Sequence, residues 1–448
     1  MIEKSFFKFM NSLGPFEHKP HIAIGVSGGS DSMCLCLLCN KWIKKIDGRL
    51  TALVLNHGLQ KNQNKKYKQI KGYLDKKKIN NCYFKWNLVN NITGFQKKAR
   101  DYRYKIFENW CFKKNIFHLF MGHQFDDQKE TFFMRLNANS NAYGLSCMPT
   151  ITFKKKVRIL RPLLEVNKEE IKNYLIKENF FWVEDKTNVL NHYTRNRYRK
   201  ILPEINKVGF TDKKFKKVFL HTRKNRKLIE NKVLNWLVKY VEINSLGYAS
   251  VFIKNLMCLK KEDFIFIINK ILITISGKIY PPKTKVIINF YNKIKSNKTN
   301  SAFNLGGCHI FFDKLDLKKI FICREIIRKK RDFLFDIKND KIIWDSRYEI
   351  QSDKRTLIYL KKELGKSLFI DQLRSNGWEK ISSRETNFEK SIFNLPKKFI
   401  YSLPTLKNKN MNILSIPNLK YFSNHKNMKL FSKINFEFKP ILSLSSFN

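Results

Sequence analysis

The hexapeptide Ser27-Gly28-Gly29-Ser30-Asp31-Ser32 joins a short apolar run, His21–Val26, to an apolar stretch at 33–42 that lacks Pro and Gly. The first reads as a strand and the second as a helix, so the hexapeptide sits at a strand's carboxyl end and a helix's amino end. Free backbone N–H groups and the positive end of the helix dipole face outward there, which is a setting for a bound anion. Gly28 and Gly29 let the backbone turn tightly and approach that anion, and Ser27, Ser30 and Ser32 add hydroxyl donors. The loop lacks the GKS/T ending of a Walker A loop and is not GxGxxG. Asp31 is out of place beside a phosphate unless a cation lies between them. It either caps the helix or holds Mg²⁺ against a pyrophosphate, and the whole reads as a nucleotide-binding loop.

A second group follows later strands. His57 comes after the run at 52–55, and His123-Gln124-Phe125-Asp126-Asp127 after the run at 116–121. Ligands of open α/β sheets gather at the carboxyl edge of the strands, where all of these residues fall. Asp126 and Asp127 either cap a helix through its dipole or join His123 in chemistry: holding a metal, steering an amine or accepting its proton. Arg100 and Arg103 share one helical face, Arg161 follows an apolar strand, and Arg195 and Arg199 close the region. Forked guanidinium donors suit phosphates, so this set reads as substrate contact.

The elements that must position these groups alternate. Strands at 21–26, 52–55, 82–86 and 116–121 interleave with helices at 33–42, 67–78, 95–113 and 126–136. This order predicts a mostly parallel sheet covered on both faces, ending near residue 200. From 212 to 242, Phe215, Phe219, Ile229, Val233, Trp236 and Tyr240 recur at helical spacing amid Lys and Arg, which predicts one or two long helices with a basic outer face. Further on, short helical and strand runs precede a polar linker at 336–341 and a β-containing end marked by Pro396, Pro404 and Pro417.

Composition bounds the possibilities. In 448 residues, 88 Lys plus Arg against 37 Asp plus Glu give a formal charge of +51, with 43% apolar and 14% aromatic residues. Such a chain has a core and is neither a disordered tail nor a fibre. Its charge predicts a polyanionic partner, although an AT-rich codon bias inflates lysine as well. Nine cysteines in this length are no disulfide scaffold. The single CxxC, Cys36 to Cys39, lies in an apolar helix and reads as core packing. Nothing at the start reads as a signal peptide, since Lys8 interrupts Phe6, Phe7 and Phe9. The apolar stretch at 264–279 is broken by Asn269, Lys270 and Lys278, so no membrane association is expected and the cytoplasm is the expected compartment.

Taken in order, the motifs are identifiable. The SGGSDS loop resembles the PP-loop of the ATP pyrophosphatases. The series Asn56-His57-Gly58-Leu59, Ala99-Arg100-x-x-Arg103-Tyr104, His123-x-x-Asp126-Asp127-Gln128-x-Glu130-Thr131, Arg135-Leu136, Gly144-Leu145, Arg161-Pro162-Leu163-Leu164 and Arg195-Asn196-Arg197-x-Arg199 resembles the tRNA(Ile)-lysidine synthase family over most of residues 20–205. Fainter echoes are Asn304-Leu305-Gly306-Gly307-Cys308, Trp344-Asp345-x-Arg347 and Ser402-Leu403-Pro404.

The resemblance implies an α/β PP-loop domain (adenine nucleotide α-hydrolase-like) at 1–205, a helical and mixed tRNA-binding region at 206–333, and a small β-containing domain at 342–448. The activity it implies is ATP-dependent joining of L-lysine to C2 of the wobble cytidine in the isoleucine tRNA with a CAU anticodon. ATP and Mg²⁺ serve the reaction, and no obligatory protein partner is evident. Asp31, His123, Asp126 and Asp127 are the expected catalytic groups, with Asp31 as metal ligand. Ser27 to Ser32 and His57 are expected on the nucleotide, and Arg100, Arg103, Arg161, Arg195 and Arg199 on the substrate. Two departures touch this pattern: Gln124 and Gln60 stand where the family often has a histidine and an arginine. The competing readings are a PP-loop tRNA thiolase and a non-enzymatic RNA-binding protein.

Overall fold

The computed structural model describes residues 2–56, 63–85, 95–154, 157–184, 194–296, 302–312, 318–326, 333–334, 341–364, 368–383, 392 and 395–445. The chain divides into two compact units, Met1–Glu230 and Asn231–Ser446.

The first unit opens with α1 (Ile2–Ser12) and then alternates: β1 (His21–Val26), α2 (Ser30–Lys44), β2 (Arg49–Asn56), α3 (Gln63–Lys76), β3 (Asn80–Lys85), α4 (Phe95–Lys113), β4 (His118–Met121) and α5 (Phe125–Asn137). A short α6 (Ala142–Leu145), β5 (Ile151–Phe153), β6 (Arg158–Leu160), α7 (Lys168–Lys177) and α8 (Thr194–Lys207) follow, and α9 (Asp212–Tyr240) starts in this unit and runs past its last residue, Glu230. The sheet order is β3-β2-β1-β4-β6-β5. All neighbours are parallel except the last pair, β5 and β6.

The alternation of side chains along the central strands explains why helices cover both faces. On β1 and β2, Ile22, Ile24, Ala52 and Val54 enter one core with Leu35, Leu38 and Phe120. Their neighbours Ala23, Leu53 and Leu55 point the other way, into a core with Phe107, Leu119 and Met121. A strand apolar at every position is what a sheet buried on both sides requires. Cys34, Cys36 and Cys39 are fully buried in α2 within the first of these cores, as free cysteines. Burial pushes the Cys34 and Cys36 thiols up to about 12, which opposes any thiolate role.

The basic segment after residue 212 is one continuous helix, α9. Phe215 and Phe219 bury its first turns against Phe125, Phe132 and Phe133, while Lys213, Lys214, Lys217, Lys224 and Lys227 stay exposed. The apolar positions at helical spacing are therefore its seam and the lysines its outer face.

The second unit is antiparallel. One five-stranded sheet orders its strands 241–243, 249–252, 319–324, 308–312 and 303–305. Another orders 333–334, 369–372, 404–407, 413–416 and 421–422, and a three-stranded sheet joins 341–344, 348–351 and 435–438. Lys261–Ser276, the apolar stretch of the sequence, is a buried helix that ends at Gly277 in the left-handed conformation, φ 68°. No helix among the described residues is long and apolar enough to cross a membrane.

Candidate active site

The sheet reverses its direction of growth between β1 and β4, because the chain leaves β1 for β2 on one side and comes back to β4 on the other. Loops leaving two such strands diverge and open a crevice at their carboxyl ends. The β1 loop is 27–29 and the β4 loop is 122–124, so the topology brings together the two segments that carry the chemistry.

The β1 loop is held from within. The Ser27 N–H donates to Ser32 Oγ at 3.1 Å, and Ser32 Oγ donates to the Gly29 carbonyl at 3.0 Å. Gly28 has φ +84°, and a Cβ there would lie 2.3 Å from Ile70 Cδ1, so only glycine fits. Gly29 is the N-cap of α2 with no side chain to satisfy the helix's first amides, which leaves them for an anion. The neighbouring segment is tied on by the Val183 N–H, which donates to the Gly28 carbonyl at 2.8 Å.

Gly122 sets the distance between the loops. A Cβ on it would lie 2.9 Å from Ser32 Cα and 3.0 Å from the Asp31 carbonyl, so β4 runs against the start of α2 backbone to backbone. Beyond it, Gln124 caps α5 by accepting from the Asp126 N–H at 2.6 Å, and Asp127 returns the favour by accepting from the Gln124 N–H at 3.1 Å. The glutamine in place of a histidine thus has a defined role in starting the helix. Asp127 is engaged in that cap. Asp126 is paired with Lys129 at 2.6 Å, and the same ammonium reaches Asp212 at 2.9 Å.

Between the loops lies a cavity of about 630 Å³. Gly29, Ser30, Asp31, Gln124 and Asp126 line it, with Lys129, Lys168 and Arg199 among its cations and Trp182, Leu202 and Pro203 forming an apolar wall. Asp31 pairs with Lys168 at 2.6 Å. Burial nevertheless pushes the Asp31 carboxyl up, and Lys168 offsets this only in part.

Glu130 is fully buried and holds the two arginines of α8: Arg199 Nε donates to its Oε1 at 2.7 Å, and Arg195 Nε stands 3.8 Å from its Oε2. Burial and nearby Asp127 keep its carboxyl above the ordinary range against the pull of both arginines. His123 is driven well below its ordinary value, first by burial and then by Arg161, Arg100, Arg195 and Arg103, so it is a neutral imidazole. Arg161 is buried, with Nη1 donating to the Pro149 carbonyl at 3.0 Å and to Thr152 Oγ1 at 2.8 Å. His123 Nδ1, Arg161 Nε and Glu130 Oε2 are buried without a hydrogen-bond partner among the described residues. Buried polar atoms left unpaired are ones that a polar ligand can complete.

Of the expected site residues, Gly29, Ser30, Asp31, Asp126 and Arg199 line the cavity; His123 and Asp127 adjoin it in sequence without lining it, and Arg100, Arg103, Arg161 and Arg195 act on His123 through their charge. Arg100 is exposed above the Tyr104 ring, 5.8 Å from its centroid, and Arg103 is half-buried on the same helix. His57 lies outside the described residues. Sequence reasoning gave no role to Lys129, Glu130, Lys168, Gly122 or Trp182. A glycine directly after a strand was the only available sign for Gly122; Lys168 is 137 residues from Asp31 and carried none.

Mg²⁺ fits this site in one way. No group of three or more His, Cys, Asp or Glu among the described residues is arranged to hold a metal ion. Mg²⁺ is commonly bound by one or two carboxylates plus substrate phosphates, and Asp31 beside an anion-ready helix start supplies the protein's part of that set.

Residues 1–205 match the family model of the PP-loop domain. Across nearly its whole length the chain is similar to the tRNA(Ile)-lysidine synthase of Orientia tsutsugamushi, 28% identical and covering 98% of each chain. It is likewise 28% identical to that of Wolbachia pipientis, covering 94% of this chain and 93% of the other. Among solved structures, a U34-tRNA thiolase from Methanococcus maripaludis is similar at 16% identity and a TM-score of 0.43, covering 50% of this chain and 78% of that one.

Proposed function

The chain belongs to the tRNA(Ile)-lysidine synthases, enzymes built on an ATP-using PP-loop domain, and from that premise we propose that it ligates L-lysine to C2 of the wobble cytidine in the isoleucine tRNA with a CAU anticodon. The observation that carries the reading is the crevice itself, with the anion-ready loop (Gly29, Ser30 and Asp31) and two residues after β4, Gln124 and Asp126, lining one cavity.

The reaction has two steps. The cytidine C2 oxygen attacks the α-phosphate of ATP, and pyrophosphate leaves. The ε-amine of lysine then attacks C2, and AMP departs with the oxygen. Adenylation is needed because a ring carbonyl oxygen is a poor leaving group. Negative charge grows on the pyrophosphate in the first step, where the free amides at the start of α2 and the surrounding arginines oppose it. Mg²⁺ bound with the nucleotide would neutralise phosphate charge, held on the protein side by Asp31. His57 remains our candidate for a nucleotide contact at the same edge.

A lysine ammonium, of reference pKa about 10.4, must lose a proton before it attacks. The carboxylates of Asp126 and Asp127 are our candidates for gripping it, and both already carry internal partners. Substrate lysine must then compete with Lys129 for Asp126 or draw Asp127 out of its cap. His123, neutral among arginines, is suited to hydrogen-bond the base or a phosphate rather than to supply charge. The exposed lysines of α9, together with residues 206–333 and 342–448, are our proposed cradle for the tRNA body. We assign the reaction to the cytoplasm, a reading supported by the nine free cysteines.

Nucleoside analysis of the tRNA after incubation with ATP, Mg²⁺ and labelled lysine tests the proposal directly. Label appearing in a modified cytidine, with stoichiometric AMP and pyrophosphate, is the expected result; sulfur incorporation or an unmodified tRNA overturns it. Adenylated tRNA and lysine transfer, measured separately in Asp126→Asn and Asp127→Asn, test the amine assignment. Unchanged transfer in both removes these carboxylates from that role.

A further inference from the structure

Four cations line the cavity, and three of them are committed elsewhere. Lys129 bridges Asp126 and Asp212, Arg199 is bound to buried Glu130, and Lys172 pairs with exposed Glu184 at 2.9 Å. Lys168 differs: its hydrogen-bond partner among the described residues is Asp31, the carboxylate beside the anion-ready loop. The Lys168 side chain is 39% exposed and that of Asp31 25%, so the pair is partly open to solvent.

The backbone under Lys168 is firmly placed. It is the first residue of α7, whose N-cap Asn167 receives a return contact from Glu170 across 3.2 Å. Just before it, the Val166 carbonyl accepts from the N–H of Phe125, the first residue of α5, at 3.0 Å. Lys168 therefore stands on a scaffold tied to the His123–Asp127 side of the crevice while its side chain crosses to the loop side. Only its flexible four-carbon stem is free to move.

We propose that Lys168 is the resident counter-ion of the phosphate loop, paired with Asp31 in the empty enzyme and transferred to the phosphates when nucleotide and divalent cation arrive. An ammonium and a divalent cation repel each other and compete for one carboxylate oxygen. The displaced ammonium needs another anion: Glu184 in the same cavity is already paired with Lys172, and the incoming phosphates carry the greater charge. The exchange leaves both groups with an opposite charge beside them, the cation against Asp31 and the ammonium against a phosphate, and it adds a point-charge donor to the leaving pyrophosphate.

This inference rests on the ATP reading above, and the experiment separates the two. ATP binding to the full-length protein is measured by calorimetry in EDTA, and the half-saturating Mg²⁺ concentration at saturating ATP by tryptophan fluorescence. Lys168→Met should weaken Mg²⁺-free ATP binding about tenfold or more, while Lys168→Arg stays within about threefold. With no ammonium competing for Asp31, the Mg²⁺ midpoint should fall about threefold or more in Lys168→Met. Weaker nucleotide binding together with easier Mg²⁺ saturation is a signature that a mere structural tie does not produce. If Lys168→Met binds ATP in EDTA as wild type does, or its Mg²⁺ midpoint is unchanged or higher, the exchange is overturned and the ATP reading stands. A wild-type protein that binds no ATP overturns both. Should the Met variant not fold by circular dichroism, Lys168→Gln carries the same two readouts.

Discussion

Two sets of partly or fully buried carboxylates, one in each unit, use the same residue types to opposite effect. In the second unit Asp371 meets Lys407 at 2.9 Å and Arg374 at 3.3 Å, and accepts from the Gln372 N–H at 2.8 Å. Burial pushes its carboxyl up, but the cations outweigh it and the net direction is down. Glu349 nearby in sequence behaves likewise: Lys341 at 2.6 Å and Lys439 at 3.2 Å hold it at about 2 against burial. In the first unit Asp31 and Glu130 have contacts just as short, to Lys168 and Arg199, and both carboxyls are nonetheless raised. Their cations do not make good the loss of water. A carboxylate whose desolvation is fully offset is finished structurally, whereas one left short of positive charge has interaction energy to give to a ligand.

Breaking each set should therefore fail differently. The largest effect is expected from Asp31→Asn, which should cut ATP-dependent pyrophosphate release by about 10²–10³ while changing unfolding free energy by less than about 1 kcal/mol. Pyrophosphate release assays and urea titration of the same preparation check both halves. A large loss of stability would place Asp31 with the structural pairs.

Asp371→Asn should do the reverse. Removing one partner of a buried pair leaves Lys407 without its charge partner and should cost about 3 kcal/mol, seen as a lower urea midpoint, with pyrophosphate release retained within about threefold. An unchanged midpoint would dissolve the contrast between the units.

A smaller effect sharpens the electrostatic picture around His123. Its folded-state value lies well below the ordinary 6.5, so below pH 6.5 the unfolded chain binds a proton that the native chain refuses. Stability is therefore lost as pH falls through 6.5, by at most about 1.4 kcal/mol per pH unit for this one group. His123→Gln should flatten that part of the stability–pH curve relative to wild type, in denaturant titrations between pH 7 and 5 buffered at about 0.15 M ionic strength. Equal slopes would mean that the arginines do not press on the imidazole as the geometry indicates.

Much of the fold was legible because its signals are local. Helix α4 has the bounds that its periodicity predicts, Phe95–Lys113, and the strand–helix alternation gives the parallel sheet. Ser27 to Ser32 and the His123–Asp127 run were readable as ligand-edge residues, since strand ends and helix starts announce themselves within a few positions. Roles were less legible than places. Asp126 and Asp127 read equally well as caps or as chemical groups, and the structure finds Asp127 in the cap and Asp126 on a lysine. Glu130 stood in plain sight within the motif, but nothing local reveals that it is fully buried beneath Arg195 and Arg199.

Residue order alone determined the phosphate loop, the alternating α/β pattern, the large positive charge and the placement of the CxxC in an apolar helix. Each depends on backbone hydrogen bonding, side-chain periodicity or composition, which act over a turn or two or over the whole chain at once. Only the tertiary structure decided which charges meet: Lys168 on Asp31, Lys129 between Asp126 and Asp212, and four arginines around a neutral His123. Apart from Lys129 and Asp126, three apart on one helix, those pairings arise from segments distant in sequence, and their consequences depend on how much water packing removes. Desolvation is a property of the assembled crevice, and no stretch of sequence carries it.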